Sequence, residues 1–255
     1  MDRFTDTIAV VTGAGSGIGE QAALLLAEGG ATVILVGRTL SKLERVAAII
    51  NEKQDSKAVV FQADVTKEED IEALKDFVQS NYGKLHVLIN NAGTSGNTTI
   101  LEMEASEWDR IQDANLKSVY LVSKSLGRLM IDEDQEESDR AIVNVASLSG
   151  HKAGAKIPHY SSSKAAVIHF SKSLALELAP YGVRVNSVSP GFAETPLTEE
   201  GLKNEKFEQA IKRNTALGRV GKPEEIAKVI AFAASKEASY MTGSDLLVDG
   251  GWLIK

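Results

Sequence analysis

A tyrosine and a lysine lie four residues apart in a segment whose apolar residues recur with helical spacing. Tyr160 and Lys164 belong to the segment His159–Pro180, so both side chains should project from one face of a helix. A phenol ordinarily has a pKa of about 10, and a nearby ammonium group favours its ionised form. Such a pair could exchange a proton with a bound oxygen atom at neutral pH, although Tyr–Lys pairs are also common on helix surfaces.

A glycine-rich loop separates the first predicted strand from a predicted helix at Glu20–Glu28. Its sequence is Thr12-Gly13-Ala14-Gly15-Ser16-Gly17-Ile18-Gly19. Backbone amides and the positive end of a helix in this order can bind a diphosphate, and glycines let the main chain approach it. The spacing is not GxGxxG, because Ile18 occupies the place of a third glycine. A tight turn without a ligand is the alternative, but the position at the first strand–helix junction favours a dinucleotide site.

A cationic residue directly follows the second predicted strand. In dinucleotide-binding folds an acid at this place bonds the ribose hydroxyls and repels a 2′-phosphate, but here the sequence is Val36-Gly37-Arg38-Thr39. Arg38 could bind a 2′-phosphate through charge-assisted hydrogen bonds. We therefore expect NADP(H) to be favoured over NAD(H), with a solvated Arg38 as the alternative.

Short β-branched runs alternate with longer amphipathic segments along the whole chain, which predicts an α/β fold. Several of these runs are continuously apolar, as expected of parallel strands covered by helices on both faces. We expect a single domain over residues 1–255, with a Rossmann-type, doubly wound parallel sheet of about seven strands and helices on both faces. The predicted strands are Thr7–Val11, Thr32–Gly37, Ala58–Gln62, Leu85–Asn90, Ala141–Ala146, Val183–Val188 and Leu246–Asp249.

Three local patterns predict where helices begin. Ser41 with Glu44 and Thr66 with Glu69 have the spacing of a capping box, and Pro223 is followed by two glutamates. The acidic run at residues 132–137 is predicted to be a solvated surface loop.

Composition excludes several classes of function. The net charge is −7, which gives no basic surface for nucleic acid or an anionic membrane. The chain has no cysteine, so disulfides and thiolate sites are excluded, and its four histidines lack metal-ligand spacing; we expect no metal. Residues Met1–Thr7 do not resemble a signal peptide, and no apolar run approaches the roughly 18 residues that span a bilayer. The expected location is the cytoplasm.

Several motifs in register resemble the short-chain dehydrogenase/reductase family over nearly the whole chain. The resemblance rests on the glycine loop and the catalytic-region motifs, and it continues through the carboxyl-terminal third. The motifs, in chain order, are the glycine loop, Asn90-Asn91-Ala92-Gly93, Asn115, Ser147, Tyr160-x-x-x-Lys164, Asn186–Gly191, Leu217-Gly218-Arg219 before Pro223-Glu224-Glu225, and Val248-Asp249-Gly250-Gly251.

The resemblance implies a role for each of four catalytic residues. Tyr160 would be the general acid/base, and Lys164 would lower the tyrosine pKa and bond the nicotinamide ribose. Ser147 would bond the substrate oxygen and stabilise charge that develops on it. Asn115 would shape its helix and hold a water that passes protons from Lys164 to solvent. A strand-end cap and a helix-interior polar residue are the structural alternatives for Ser147 and Asn115.

The resemblance also implies cofactor contacts. Asp64 and Val65 would meet the adenine, Asn91, Ala92 and Gly93 the adenosine ribose side, and Pro190, Gly191 and Thr195 the nicotinamide. Ile18 would support the ring or the diphosphate by packing. The complete set of expected cofactor-binding residues is Gly13, Gly15, Ser16, Gly17, Ile18, Gly19, Arg38, Asp64, Val65, Asn91, Ala92, Gly93, Tyr160, Lys164, Pro190, Gly191 and Thr195.

The implied function is NAD(P)-dependent hydride transfer between nicotinamide and an alcohol or carbonyl carbon of a small molecule, in a homotetramer. Segments Thr94–Thr98, Leu148–Pro158 and Phe192–Leu217 would frame the substrate, the last as a substrate loop near residues 192–217. Three alternatives stay open: a 3-oxoacyl-thioester (acyl carrier protein) reductase, a sugar, polyol or steroid dehydrogenase, and a non-catalytic NAD(P)-binding regulator. The regulator is disfavoured because such relatives usually lose part of the catalytic tetrad, and all four residues stand here.

Overall fold

A single parallel sheet forms the centre of the computed structural model, which describes residues 3–53, 57–131 and 139–255. Its strand order is β3-β2-β1-β4-β5-β6-β7, with every neighbouring pair parallel. The strands are β1 Ile8–Thr12, β2 Thr32–Gly37, β3 Lys57–Gln62, β4 Val87–Asn90, β5 Arg140–Val145, β6 Val183–Pro190 and β7 Asp245–Val248. The predicted doubly wound α/β fold is confirmed, and each predicted strand end lies within two residues of the observed one.

Helices cover both faces of the sheet. They are α1 Gly17–Glu28, α2 Leu40–Asn51, α3 Glu68–Tyr82, α4 Ala105–Gln112, α5 Ser118–Gly127, α6 Pro158–Leu178, α7 Glu199–Leu202, α8 Glu205–Asn214 and α9 Pro223–Ala234. None of these helices, within the described residues, is both long and apolar enough to cross a membrane.

Alternate residues of each central strand enter two separate cores. In β1, Ala9 and Val11 pack with α1, α2 and α9 on one face, whereas Val10 packs with α3 and α5 on the other. Ala9, Val10 and Val11 are fully buried, because a strand covered on both faces has no solvent side. This explains the continuous apolar runs in the sequence.

The two capping-box predictions are wrong, although the helices that they predicted exist. Helix α2 begins at Leu40, with Thr39 at the N-cap, so Ser41 lies inside the first turn. Helix α3 begins at Glu68, and the hydroxyl of Thr66 donates instead to the Asp64 carboxylate at 2.8 Å. Local side-chain bonds of this kind compete with capping. The acidic run at 132–137 lies outside the described residues.

The predicted start of α9 at Pro223 is confirmed. The carboxylate of Glu225 accepts a hydrogen bond from the backbone N–H of Lys222 at 2.8 Å, which satisfies one of the free amides at this helix end.

The strand order reverses between β1 and β4, because the chain runs outward through β2 and β3 and then returns to the other side of β1. In open α/β sheets, ligands bind at the carboxyl ends of the strands that flank such a point. The fold therefore directs attention to the loops after β1 and β4.

Candidate active site

The loops after β1 and β4 are bonded to each other. The side-chain Nδ2 of Asn91 donates to the carbonyl oxygens of Thr12 and Gly13 at 3.0 and 3.2 Å. In return, the hydroxyl oxygen of Thr12 accepts from the backbone N–H groups of Asn91 and Ala92 at 3.0 and 3.1 Å. These four bonds fix the shape of the glycine loop before any ligand enters.

Two glycines are required by this packing. Gly13 has φ of +66°, a left-handed conformation that other residues adopt only with strain. At Gly19, a Cβ atom would lie 2.3 Å from Nδ2 of Asn91 and 2.4 Å from the Gly13 carbonyl oxygen. Gly19 is buried and does not line the cleft described next, so it acts here by allowing close packing behind the loop.

A cleft of about 970 Å³ opens at the point where the strand order reverses. Its walls come from the loops after β1, β2, β3 and β4, from α4, and from the loop after β6. This volume lies at the upper end of the range for small-molecule and cofactor sites. A glycine loop at a helix N-terminus along one wall fits the diphosphate of a dinucleotide. Of the predicted cofactor residues, the cleft contains Gly13, Gly15, Ser16, Gly17, Ile18, Arg38, Asp64, Val65, Asn91, Ala92, Gly93 and Thr195.

One end of the cleft carries two exposed cations, Arg38 and Lys42. Within the described residues, neither forms an ion pair with an acid. Burial acts to raise the pKa of the nearby Asp64 carboxyl, but hydrogen bonds from Thr66 and the charges of Arg38 and Lys67 outweigh it and lower that pKa. Asp64 is thus ionised and bonded within its own turn, while both cations remain available to an anion.

Tyr160 and Ser147 meet beyond the carboxyl ends of the strands. Tyr160 lies in the first turn of α6, and Ser147 follows β5 at the N-cap of a short 3-10 turn, where its hydroxyl oxygen accepts from the backbone N–H of Ser149 at 3.1 Å. Burial raises the pKa of the Tyr160 phenol, and a hydrogen bond with the Ser147 side chain opposes that rise. Lys164 is not among the causes of this shift, and burial dominates it, so the expected lowering of the Tyr160 pKa by Lys164 is not found.

Lys164 is buried one helical turn after Tyr160, with only 5% of its surface exposed. Its Nζ lies 5.8 Å from the centre of the Tyr160 ring and donates a hydrogen bond to the Val145 carbonyl oxygen at 2.8 Å. Burial lowers the pKa of Lys164 to about 8, since a buried ammonium group loses hydration. Its proton can thus be exchanged at mildly alkaline pH.

Asn115 connects the loop after β4 to α6. It lies in a π-helical turn, Asp113–Lys117, between α4 and α5, and is completely buried. Its Oδ1 accepts from the backbone N–H of Thr94 at 2.8 Å, and its Nδ2 donates to the Thr94 carbonyl and to the Ser163 hydroxyl at 2.9 and 3.0 Å. A Cβ atom on Gly93 would lie 3.0 Å from this Oδ1 and 3.5 Å from Nζ of Lys164. Asn115 and Lys164 therefore lie directly behind the cleft wall.

Two predicted nicotinamide neighbours lie outside the cleft. Pro190 ends β6 in a buried position, and the backbone N–H of Gly191 donates to the Val248 carbonyl at 2.9 Å. A Cβ atom at Gly191 would lie 2.6 Å from Cα of Asp249, so this glycine allows β6 and the chain after β7 to approach closely.

The sequence analysis missed several side chains that line the cleft. Lys42 could have been found, because it lies in the first turn of the helix that follows Arg38. The residues from α4 and its π-helical turn had no local signal, since only the packing of that helix brings them to the cleft. The missed residues include Thr39, Lys42, Leu43, Thr66, Ser106, Asp109, Arg110 and Asp113, whereas Pro196 and Leu197 lie in the segment predicted to frame the substrate. No group of three histidine, aspartate or glutamate side chains placed to hold a metal occurs among the described residues.

Comparisons with known proteins agree over the full length of the chain. The model of a family described as enoyl-(acyl carrier protein) reductase matches residues 13–253. The 3-oxoacyl-(acyl-carrier-protein) reductase of Thermotoga maritima is 39% identical over 254 residues, which cover 99% of this chain and 100% of that protein. The cyclohexanol dehydrogenase of an Acinetobacter species is 37% identical over 257 residues, covering 100% of this chain and 98% of that protein.

A solved structure has the same fold. A short-chain type dehydrogenase/reductase from Mycobacterium marinum superposes with a TM-score of 0.92 at 36% identity, covering 99% of this chain and 97% of that one.

Proposed function

Because the chain belongs to the short-chain dehydrogenase/reductase family and is an NAD(P)-dependent oxidoreductase, we propose that Asn115, Ser147, Tyr160 and Lys164 are its catalytic residues. The observation that carries this proposal is that Nζ of the buried Lys164 lies 5.8 Å from the centre of the Tyr160 ring, while the Ser147 side chain acts to lower the Tyr160 pKa. This group adjoins the cleft through Gly93, at the sheet edge where a dinucleotide would lie.

Each residue has a distinct task. When bound, the nicotinamide supplies the hydride in reduction or accepts it in oxidation. The Tyr160 hydroxyl gives a proton to the carbonyl oxygen in reduction and removes one from the alcohol in oxidation. The Ser147 hydroxyl bonds the same substrate oxygen and stabilises the charge that develops there.

Lys164 and Asn115 support this proton transfer. The positive charge of Lys164 lies behind the tyrosine ring, and a bound, oxidised nicotinamide adds a second one nearby, so both favour the phenolate against the effect of burial. Asn115 holds the Thr94 backbone and α6 in place. We propose that it also holds a water that passes protons from Lys164 to solvent.

The cofactor we propose is NADP(H) rather than NAD(H). Arg38 and Lys42 present two exposed cations at the end of the cleft where the adenosine ribose would lie, and β2 does not end in an acid. A 2′-phosphate carries charge that these cations would neutralise, whereas NAD would leave them unused. Asp64 and Val65 would contact the adenine, and Thr195, beside Gly17, would contact the nicotinamide end.

The substrate is a small alcohol or ketone. Reduction of a 3-oxoacyl thioester is a second candidate, because the Thermotoga maritima relative bears that name. The cyclohexanol dehydrogenase relative favours a simple secondary alcohol instead. We further propose that the chain is one domain, assembles as a homotetramer and works in the cytoplasm.

Two measurements test this function. The first is a substrate test with acetoacetyl-CoA, cyclohexanone and cyclohexanol, each with NADP(H) and with NAD(H). At least one combination of compound and cofactor should change the nicotinamide absorbance. For the cofactor, Arg38→Ala should lower the ratio of kcat/KM with NADPH to that with NADH by at least about tenfold, which corresponds to about 1.4 kcal/mol. The exposed cation Lys236, outside the cleft, provides the control Lys236→Ala. An unchanged ratio in Arg38→Ala would show that Arg38 is not the source of a preference for NADPH.

A further inference from the structure

The loop formed by residues 94–98 is anchored at both ends. Asn115 holds Thr94 at its beginning through the two backbone bonds described above. At its end, the backbone N–H of Thr98 donates to the carbonyl oxygen of Lys156 at 2.8 Å, two residues before α6 begins. Thr94 lines the cleft, so this loop runs from the cofactor cleft towards the helix that carries Tyr160.

A side-chain contact between α4 and α6 secures the second anchor. The hydroxyl of Thr98 donates to both carboxylate oxygens of Glu107, at 3.0 and 2.9 Å. Oε1 of Glu107 lies 3.3 Å from Nε2 of His159, the residue directly before Tyr160. Gln112, also on α4, donates to the His159 carbonyl oxygen at 3.0 Å. Helix α4 therefore contacts the His159 ring and hydrogen-bonds its main chain.

The loop rests on the His159 ring. A Cβ atom at Gly96 would lie 2.3 Å from Nε2 of His159 and 2.6 Å from Oε1 of Glu107, so backbone, ring and carboxylate are in close contact. His159 is completely buried; its Nε2 faces the Glu107 carboxylate at 3.3 Å without hydrogen-bond geometry, and its Nδ1 has no hydrogen-bond partner among the described residues. A buried ring nitrogen without a hydrogen bond destabilises the fold, so stability alone would favour an apolar ring here.

We propose that Glu107 and His159 are positioning residues for the carbonyl substrate. They hold the loop at 94–98, which the sequence analysis predicts to frame the substrate, at a fixed place beside the first turn of α6 and therefore beside Tyr160. Neither residue touches the reacting atoms. This inference rests on the proposed function, which makes Tyr160 the acid/base.

Hydrogen exchange tests the positioning without turnover. In Glu107→Ala, the amides of a peptide covering residues 94–101 should exchange at least about tenfold faster than in the unmodified protein, because Thr98 loses its side-chain anchor. Glu102→Ala is the matched control: its carboxylate accepts from the nearby Thr99 hydroxyl at 2.7 Å and, among the described residues, forms no hydrogen bond or ion pair with α6. The proposal is overturned if the 94–101 peptide exchanges at the same rate in Glu107→Ala, in the control and in the unmodified protein.

Steady-state kinetics then separate positioning from general damage. With NADPH and the better of acetoacetyl-CoA and cyclohexanone, Glu107→Ala should raise the KM for the carbonyl compound at least about fivefold and leave the KM for NADPH unchanged. Glu107→Gln keeps an acceptor for Thr98 and should restore most of the affinity. The proposal is contradicted if Glu107→Ala and Glu107→Gln lose the same affinity for the carbonyl compound, or if only the KM for NADPH rises. If the unmodified protein reduces neither compound, the proposed substrates fail, while the exchange result still decides the positioning role.

Discussion

Replacing Lys164 with methionine should make the protein more stable while it removes activity. The lysine is almost completely buried, and its pKa falls from 10.5 to about 8 because the ammonium group has lost its hydration. Keeping that group charged inside the fold therefore destabilises the native state below pH 8. Methionine has a similar length, no charge and a flexible chain that fits the same space.

The size of the effect follows from the pKa. At about 1.4 kcal/mol for each pKa unit, the fall from 10.5 to about 8 corresponds to roughly 3 kcal/mol of destabilisation at pH 7. The methionine variant also loses the hydrogen bond to the Val145 carbonyl, which contributes about 1 kcal/mol. The free energy of unfolding of the variant at pH 7 should therefore be about 2 kcal/mol higher than that of the unmodified protein.

The pH dependence has a definite sign. Between pH 8 and 10.5 the unfolded chain binds more protons at Lys164 than the native state does, so the stability of the unmodified protein rises with pH in that window. The variant lacks this contribution. Its advantage should shrink by about 2 kcal/mol between pH 7 and pH 9.5, where the two proteins become nearly equal.

Urea denaturation at the two pH values measures this difference. Lys172→Met, an exposed position on the same helix, is the control and should change stability by less than about 0.5 kcal/mol at either pH. Turnover of Lys164→Met should fall by a factor on the order of 100 or more, an exchange of stability for activity common at active sites. A variant that is less stable than the unmodified protein at pH 7, or an advantage that is the same at both pH values, would refute the reasoning.

Two further predictions concern the scaffold. Gly19→Ala places a Cβ atom 2.3 Å from Nδ2 of Asn91, so the free energy of unfolding should fall by about 1–3 kcal/mol. Cofactor binding should also weaken in a calorimetric titration. Gly127→Ala, whose Cβ would meet nothing within 4 Å, is the control and should be neutral or stabilising. Burial, with a smaller effect of nearby cations, lowers the pKa of His86, and its Nδ1 accepts a hydrogen bond from the backbone N–H of Ile8 in β1. Because the native state binds the proton less readily than the unfolded chain does, the free energy of unfolding should be intact above about pH 6.5 and fall as the solution is acidified. His86→Asn should flatten that fall in urea titrations between pH 7 and 5, whereas the exposed His169→Asn should not; equal slopes in both would exclude His86 as the cause.

The strands and the glycine loop could be predicted from sequence because their signals are local. A strand buried on both faces must be apolar throughout, and β2, Thr32–Gly37, was predicted at both ends for that reason. Helix starts were less predictable. Thr66 has the spacing of a cap, but its hydroxyl bonds Asp64 instead, and the sequence does not show which partner it takes.

The parts of the site that the sequence analysis missed depend on packing between distant elements. Glu107 and His159 are 52 positions apart, and only the approach of α4 to α6 brings them to 3.3 Å. The pKa of Tyr160 has the same origin. Its spacing from Lys164 predicts a lowered value, whereas the burial that raises it is a property of the assembled fold.

The proton transfer assigned to Tyr160 is tested most directly by Tyr160→Phe, which removes one oxygen atom and little volume. Calorimetry should show that the variant binds NADPH within about threefold of the affinity of the unmodified protein, while turnover of the best carbonyl compound falls by about 10²–10⁴-fold. Undiminished turnover in a variant that still binds NADPH would contradict the assignment.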